Sequence, residues 1–453
     1  MTERKFSATL LVLTATVLLA IWPLPNTMAL RHVMLLVGFV AACVVLAQNR
    51  QRWLGPQAWP VYALFGFFIW LVWHLLVLAG NQAEQWREFT GDWLRNALAA
   101  IIGLALGIVL AEPRQNLTPR LQHLQQPLLI GGLAGTVIIF CARYAYEIAR
   151  TGQWLHPDFY MTPYLGKTPL VIFGSLFLPV VFIKILSVRE KTAPQIWYLY
   201  GFLGLAATVG TYYFANTKNG VAILVLLFAY FLFQVLTRNA QIPSHRSVFY
   251  GLLLACLLIF AYGVKKHLDN NPAWSNLLAD YKISVQIEQH HNWKDKVSPV
   301  PLNAHGIPVN GSTYERVAWG RAGLELLKEQ PWGYGQINHS FGALARQKWP
   351  DFHPPDGINR GSTHSGWLDF ALGFGFPGLL LIWIPLAVSY VRARQRSDFW
   401  STYAVWTIPV IGISYLTTEV CTGHFIELLF FMTALFSGLT LPRQSGANGA
   451  SAD

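Results

Sequence analysis

The sequence predicts an all-α integral membrane protein: about twelve transmembrane helices and one long outer loop. Three observations carry that prediction. Hydrophobic residues fill 53% of the 453 positions and charged residues only 12%, a balance outside that of soluble domains. Apolar runs recur at close to the roughly 20 residues a helix needs to cross a bilayer. A stretch of about a hundred residues between the ninth and tenth runs lacks this character and is far longer than an ordinary connection.

The runs begin around Ala8, Leu30, Trp59, Leu94, Pro127, Pro169, Ile196, Gly220, Val248, Trp367, Tyr403 and Phe425. Arg4 and Lys5 precede the first as they would in a signal peptide, but the run continues to Pro23 and a second follows almost at once, so a membrane helix is expected. Residues 1–264 thus hold nine helices, 265–365 the large loop with short helices of its own, and 366–441 three more helices. The small polar tail 442–453 is expected to be disordered.

Basic residues set the orientation. Arg4 and Lys5, Arg50 and Arg52, Arg114 and Arg120, Lys184 with Arg189 and Lys191, Arg238 and Arg246, and Arg392, Arg394 and Arg396 occupy alternate connections. That face is expected to be cytoplasmic and to carry both termini. Arg87, Lys218 and the long loop then face the opposite side. The net charge of +11 is accordingly a topology signal, and no nucleic-acid partner is expected. Cys43, Cys141, Cys256 and Cys421 are scattered through apolar segments. Neither a disulfide framework nor a metal site is implied, and no motif for a cofactor stands out.

The long loop carries eleven Lys and Arg against nine Asp and Glu between Lys265 and Ser365, so it is no bulk electrostatic patch. Within it STYERVAWGRAGLELLKEQP predicts an amphipathic helix, with Ser312 and Glu315 spaced as a capping box and Pro331 just past the end. A second short helix is expected from about Asn338 to Lys348. His364 ends the loop and is expected in the first turn of the tenth span, where the positive end of the helix dipole favours a neutral, proton-accepting ring. A packing or turn-capping histidine is the alternative. In the short connection of TYYFANTKNGVAILV, Thr217 is expected as an N-cap. Lys218 then adds a full charge to a helix end already carrying about half of one, which becomes favourable when an anion binds. A lysine reaching to the interface is the alternative. Arg316, three residues before Trp319, is either a third member of this group or an exposed helical arginine.

Taken together these segments resemble bacterial O-antigen ligases. HSGWLDFALGFGFPG holds His364 and Ser365, then nine residues, then Gly375 and Gly378, like that family's histidine and G-x-x-G pattern. YERVAWGRAGLELLKEQPWGYG is similar to its arginine–tryptophan–helix–proline–glycine stretch on Arg316, Trp319, Pro331, Gly333 and Gly335. TKNG matches on Thr217 to Gly220, with Lys218 where relatives usually carry arginine. The resemblance implies a glycosyltransferase-C-like, metal-independent and inverting enzyme of the bacterial inner membrane that faces the periplasm. Its donor would be an O-antigen glycan on undecaprenyl pyrophosphate, and its acceptor lipid A–core oligosaccharide. It assigns the base to His364 and pyrophosphate binding to Lys218 and Arg316, with Arg321, Arg360 and His339 as further candidates; because the orientation puts the first three at the outer boundary, they are expected to face one periplasmic cavity open sideways to lipid. O-antigen polymerases and protein O-oligosaccharyltransferases share this core. A lipid-linked glycan transporter is the reading from another class, with His74, Glu419 and His424 as its ionisable groups.

Overall fold

The computed structural model describes residues 3–154, 166–189, 194, 196–237, 246–269, 274–295, 297–337, 340–353, 362–418 and 423–442. Its principal helices, in chain order, are α1 (Glu3–Ile21), α2 (Met28–Gln48), α3 (Pro56–Leu78), α4 (Gln82–Ala111) and α5 (Pro119–Thr151). Next come α6 (Lys167–Arg189), α7 (Ile196–Phe214), α8 (Lys218–Thr237) and α9 (Arg246–Asp269). The loop segment contributes α10 (Leu277–Ser284), α11 (Gly311–Glu329) and α12 (Ser340–Lys348). The chain closes with α13 (Gly366–Ala393), α14 (Phe399–Thr417) and α15 (Gly423–Leu439). Among the described residues no strand forms beyond one isolated bridge, Leu302 to Pro308.

Eight of these helices, α1 to α6, α8 and α13, are long and apolar enough to cross a membrane. The chain is also helical at the other four predicted positions, α7, α9, α14 and α15, of which α15 is apolar but shorter. Large apolar side chains such as Val33, Leu36, Val40, Ile69, Leu76 and Leu236 point outward, as they do where lipid replaces water. This is a multi-pass membrane protein.

Local chemistry moves several boundaries. Helix α5 starts well before Pro127, at Pro119, because Thr118 accepts the Leu121 N–H as an N-cap and proline suits the first turn; Pro127 lies inside the helix. Helix α11 is capped by Asn310, which accepts from Thr313 N at 3.2 Å, so Ser312 and Glu315 fall within the helix and form no capping box. Thr217 stands at the N-cap position of α8, where its carbonyl accepts from Val221 N at 3.1 Å and its hydroxyl donates to the Tyr212 carbonyl, 3.4 Å away. A Cβ on Gly220 would lie 2.6 Å from that hydroxyl oxygen, which explains the glycine of TKNG.

Helices α4 and α15 pack closest. A Cβ on Gly103 would sit 2.2 Å from the Phe431 carbonyl oxygen, and one on Gly107 2.2 Å from that of Leu435. Equal steps along both helices show that they run parallel. The spacing is the small-xxx-small pattern by which membrane helices bring their backbones together. At one end of the bundle Arg4 binds Asn49 and Asn116, Arg52 pairs with Glu112 at 3.5 Å, and Arg396 donates to the Thr440 and Leu441 carbonyls just past α15. Three of the basic residues expected on one face therefore do gather at one end.

The opposite half of the bundle is organised by a break in α13. Gly375 has φ 67° and ψ −172°, so the helical ladder is interrupted there. The freed groups are taken up by the segment Pro331–Gly335, which follows α11. Tyr334 N donates to Leu372 O at 2.7 Å, Gly335 N to Gly373 O at 2.6 Å, and Phe376 N to Pro331 O at 3.0 Å. From α3, Trp70 Nε1 donates to Phe374 O at 2.9 Å, and His74 Nε2 lies 3.2 Å from Gly333 O. Such a break is tolerated at membrane depth only when other protein groups satisfy the backbone. The contact is backbone on backbone: a Cβ on Gly333 would lie 2.5 Å from Gly373 O, and one on Gly375 2.4 Å from Trp332 C. Beside it Phe67, Trp93, Phe370, Phe374 and Phe430 interlock with centroid separations of 5.0–6.3 Å.

Gly375→Ala is expected to destabilise by at least about 2 kcal/mol, combining a left-handed φ with a clash against backbone that cannot turn away. Gly412→Ala, at a position with no atom within 4 Å, is expected to leave the melting temperature in detergent nearly unchanged. Equal thermal shifts for the two variants would contradict the docking of Pro331–Gly335 onto α13.

Candidate active site

The site forms where α8, α11 and α13 begin or pass near the C-terminal end of α14. The last carbonyls of a helix have no partners within it and carry the negative end of its dipole. Here they collect donors from three other helices. Thr417 O accepts from Asn219 Nδ2 of α8 at 2.7 Å and from Arg316 Nη1 of α11 at 3.4 Å, while Thr418 O accepts from Gly366 N, the first residue of α13, at 2.9 Å. Lys218, Arg316 and His364, distant in sequence, are thereby drawn to one place.

His364 lies just before the helix and outside its first turn. Ser365 occupies the N-cap position of α13 with an extended backbone, and His364 has φ 63°. A left-handed histidine is uncommon and costs energy unless its surroundings hold it. Two contacts do so. Its N–H donates to Ser362 Oγ at 2.9 Å, and its ring stacks on Trp319 with centroids 5.3 Å apart and planes 19° from parallel. Trp319 is fully buried and fixed by its indole N–H, which donates to Trp293 O at 3.0 Å. Stacking engages the face of the imidazole, whereas its nitrogens act in the plane of the ring.

Helix α11 itself is pinned to the loop beneath it. Tyr314 donates to His290 O at 3.2 Å, and burial pushes its phenol up to about 12, so it remains a neutral donor at physiological pH. A Cβ on Gly323 would lie 2.8 Å from Thr363 Cγ2 and 2.9 Å from Leu368 Cδ2. Glycine there lets α11 approach the His364 turn directly.

Positive charge is concentrated beside the histidine turn. Lys218 is half-buried, makes no ion pair among the described residues, and feels the charges of Arg316 and Lys167. His267, buried near the end of α9, feels Lys218 in turn. Like charges gathered in one place attract an anion. Arg321 points elsewhere: it pairs with Glu325 at 3.0 Å and approaches Glu288 at 3.9 Å. His339 and Arg360 lie outside the described residues, as does Glu419. His74 is a satisfied buried histidine at the α13 break, 3.4 Å from Gln85. A cavity of about 680 Å³ lies away from this site, at the end of the bundle that carries Glu112, Arg114, Gln126 and Asp398.

Sequence reasoning missed Lys167, Asn219 and Asp369. Lys167 opens an apolar run and Asn219 sits inside the quoted TKNG, so both were visible. Asp369 is the one acid in the whole of α13, itself a signal in a membrane helix.

No curated protein matches the chain. Residues 202–383 match the family described as O-antigen ligase, a region that runs from within α7 to within α13 and contains Lys218, Arg316, His364 and every glycine of the α13 junction. That region, less than half of the chain, is similar to the O-antigen ligase family and supports a membrane enzyme of ligase or polymerase type.

Proposed function

We propose that this protein is the ligase itself, transferring a glycan from undecaprenyl pyrophosphate to lipid A–core oligosaccharide on the periplasmic side of the bacterial inner membrane. The observation that carries the reading is that Arg316, Asn219 next to Lys218, and Gly366 two residues after His364 all donate to the Thr417–Thr418 carbonyls, with Lys218 beside Arg316. In the proposed reaction an acceptor hydroxyl attacks the donor anomeric carbon as the bond from that carbon to the pyrophosphate oxygen breaks. His364 takes the hydroxyl proton, and undecaprenyl pyrophosphate departs with the bonding pair. A single displacement inverts the anomeric centre. Lys218 and Arg316, with Lys167 beside them, bind the pyrophosphate and stabilise the charge that grows on it, so the chemistry needs no metal or cofactor. Lysine where relatives usually carry arginine keeps the charge and gives up the two-bonded planar grip.

His364→Ala is expected to lower the transfer rate by about 10²–10⁴-fold, the usual cost of a lost general base, with expression and donor binding retained. Near-normal transfer by that variant, measured with purified protein and carrier-linked glycan, would remove the base. Lys218→Ala is expected to raise the KM for donor, whereas Lys218→Arg keeps activity. A correctly folded but inactive arginine variant would show that the ammonium geometry itself is required.

The polymerase shares the same donor and differs in whose hydroxyl attacks. In cells lacking this protein, the proposed function predicts long carrier-linked glycan accumulating beside bare lipid A–core. Lipid A–core bearing a single repeat would instead identify a polymerase. Transfer by purified protein without a membrane gradient separates either enzyme from a transporter.

A further inference from the structure

We infer that Asp369 is a positioning residue for His364, fixing the left-handed turn that presents the imidazole. Asp369 is fully buried in the first turns of α13. Its carboxylate reaches back over the chain before the helix. Oδ1 accepts from Thr363 N at 2.7 Å and from Thr363 Oγ1 at 2.8 Å, and Oδ2 accepts from Ser362 Oγ at 2.8 Å. Ser362 Oγ in turn accepts the His364 N–H at 2.9 Å. A continuous chain of hydrogen bonds therefore leads from the carboxylate to the backbone of the histidine. Thr363 Oγ1 also accepts from Ser365 N at 3.3 Å, so both neighbours of His364 are tied to the same carboxylate or its partners.

The arrangement resolves two costs at once. A non-glycine residue at positive φ costs roughly 1–3 kcal/mol and persists only where its surroundings over-determine it. A buried carboxylate is expensive unless several donors satisfy it. Three charge-assisted bonds, near the positive end of the α13 dipole, meet the second requirement. By holding residues 362 and 363, they also meet the first. The backbone of the histidine is then held with its ring stacked on Trp319, and none of this needs Asp369 to touch a substrate.

The inference rests on the proposed role of His364, and a double-mutant cycle on the purified full-length protein tests it separately. Asp369→Asn keeps the shape and one acceptor oxygen. It is expected to lower kcat by about 10²-fold, the scale of a misplacement of roughly 1 Å, with the donor KM unchanged. In the His364→Ala background it is expected to lower the residual rate no further. Ser362→Ala removes the intermediate link and is expected to show the same non-additivity with a smaller loss, so it supplies the cycle if Asp369→Asn fails to fold. An equal loss from Asp369→Asn in both backgrounds, or a raised donor KM at unchanged kcat, would show a general structural role and overturn the inference. Normal activity of Asp369→Asn alongside an inactive His364→Ala would overturn the positioning role alone. An active His364→Ala would remove the base reading and this inference with it.

Discussion

The break in α13 at Gly375 is the constraint on which the rest of this half of the molecule depends. A helix interrupted within a bilayer leaves carbonyls and N–H groups that lipid cannot satisfy. Here they are met by Pro331–Gly335 and by Trp70. Because the partners are main chain, the geometry tolerates almost no side chain, and Gly333 and Gly375 follow directly. The consequence extends beyond the break itself. Pro331–Gly335 is the continuation of α11, so docking it fixes the C-terminal end of the helix that carries Arg316 and Trp319. His364 stands just before the N-terminal end of α13. One irregular junction thus sets the relation between the arginine, the tryptophan and the histidine.

A second physical pattern is the use of helix ends as electrostatic fixtures. The C-terminal carbonyls of α14 bring in Asn219, Arg316 and the first N–H of α13, and the dipole of α14 favours the cation. The N-terminal end of α8 does the reverse, since Lys218 adds positive charge to a positive helix end beside Arg316 and Lys167. The first arrangement is satisfied within the protein. The second places positive charges side by side, and in the proposed reaction the carrier pyrophosphate brings negative charge to them.

Much of the scaffold was legible because crossing a membrane demands long apolar runs, and eight of the expected spans are helices of the required length and apolarity. Boundaries were less legible where polar residues continue a helix, as between Thr118 and Pro127 in α5. Asn310 and Ser312 are both good N-caps by type, and only the backbone path decides between them. The residues of the proposed site, Lys218, Arg316 and His364, stand out in the sequence as identities, and their geometry does not. Nothing in STHSG encodes a left-handed histidine, because the conformation is imposed by Asp369 through Ser362 and Thr363 and by the stacked Trp319. Lys167 escaped notice because its partners in the cluster come from other helices.

The two irregular points of α13 serve opposite ends of one argument about rigidity. At Gly375 the strain is removed by choosing glycine, and the backbone is then locked by its neighbours. At His364 the residue type cannot be chosen for its conformation, because a glycine there would forfeit the imidazole. The conformational cost must therefore be offset by contacts, and three bonds to a buried carboxylate with a stacked indole offset it. A histidine held this firmly loses little entropy when a hydroxyl is brought to it, which is what a proton acceptor working on a lipid-anchored substrate requires. The strain at His364 is thus an observation, independent of resemblance, that supports the proposed role of its imidazole.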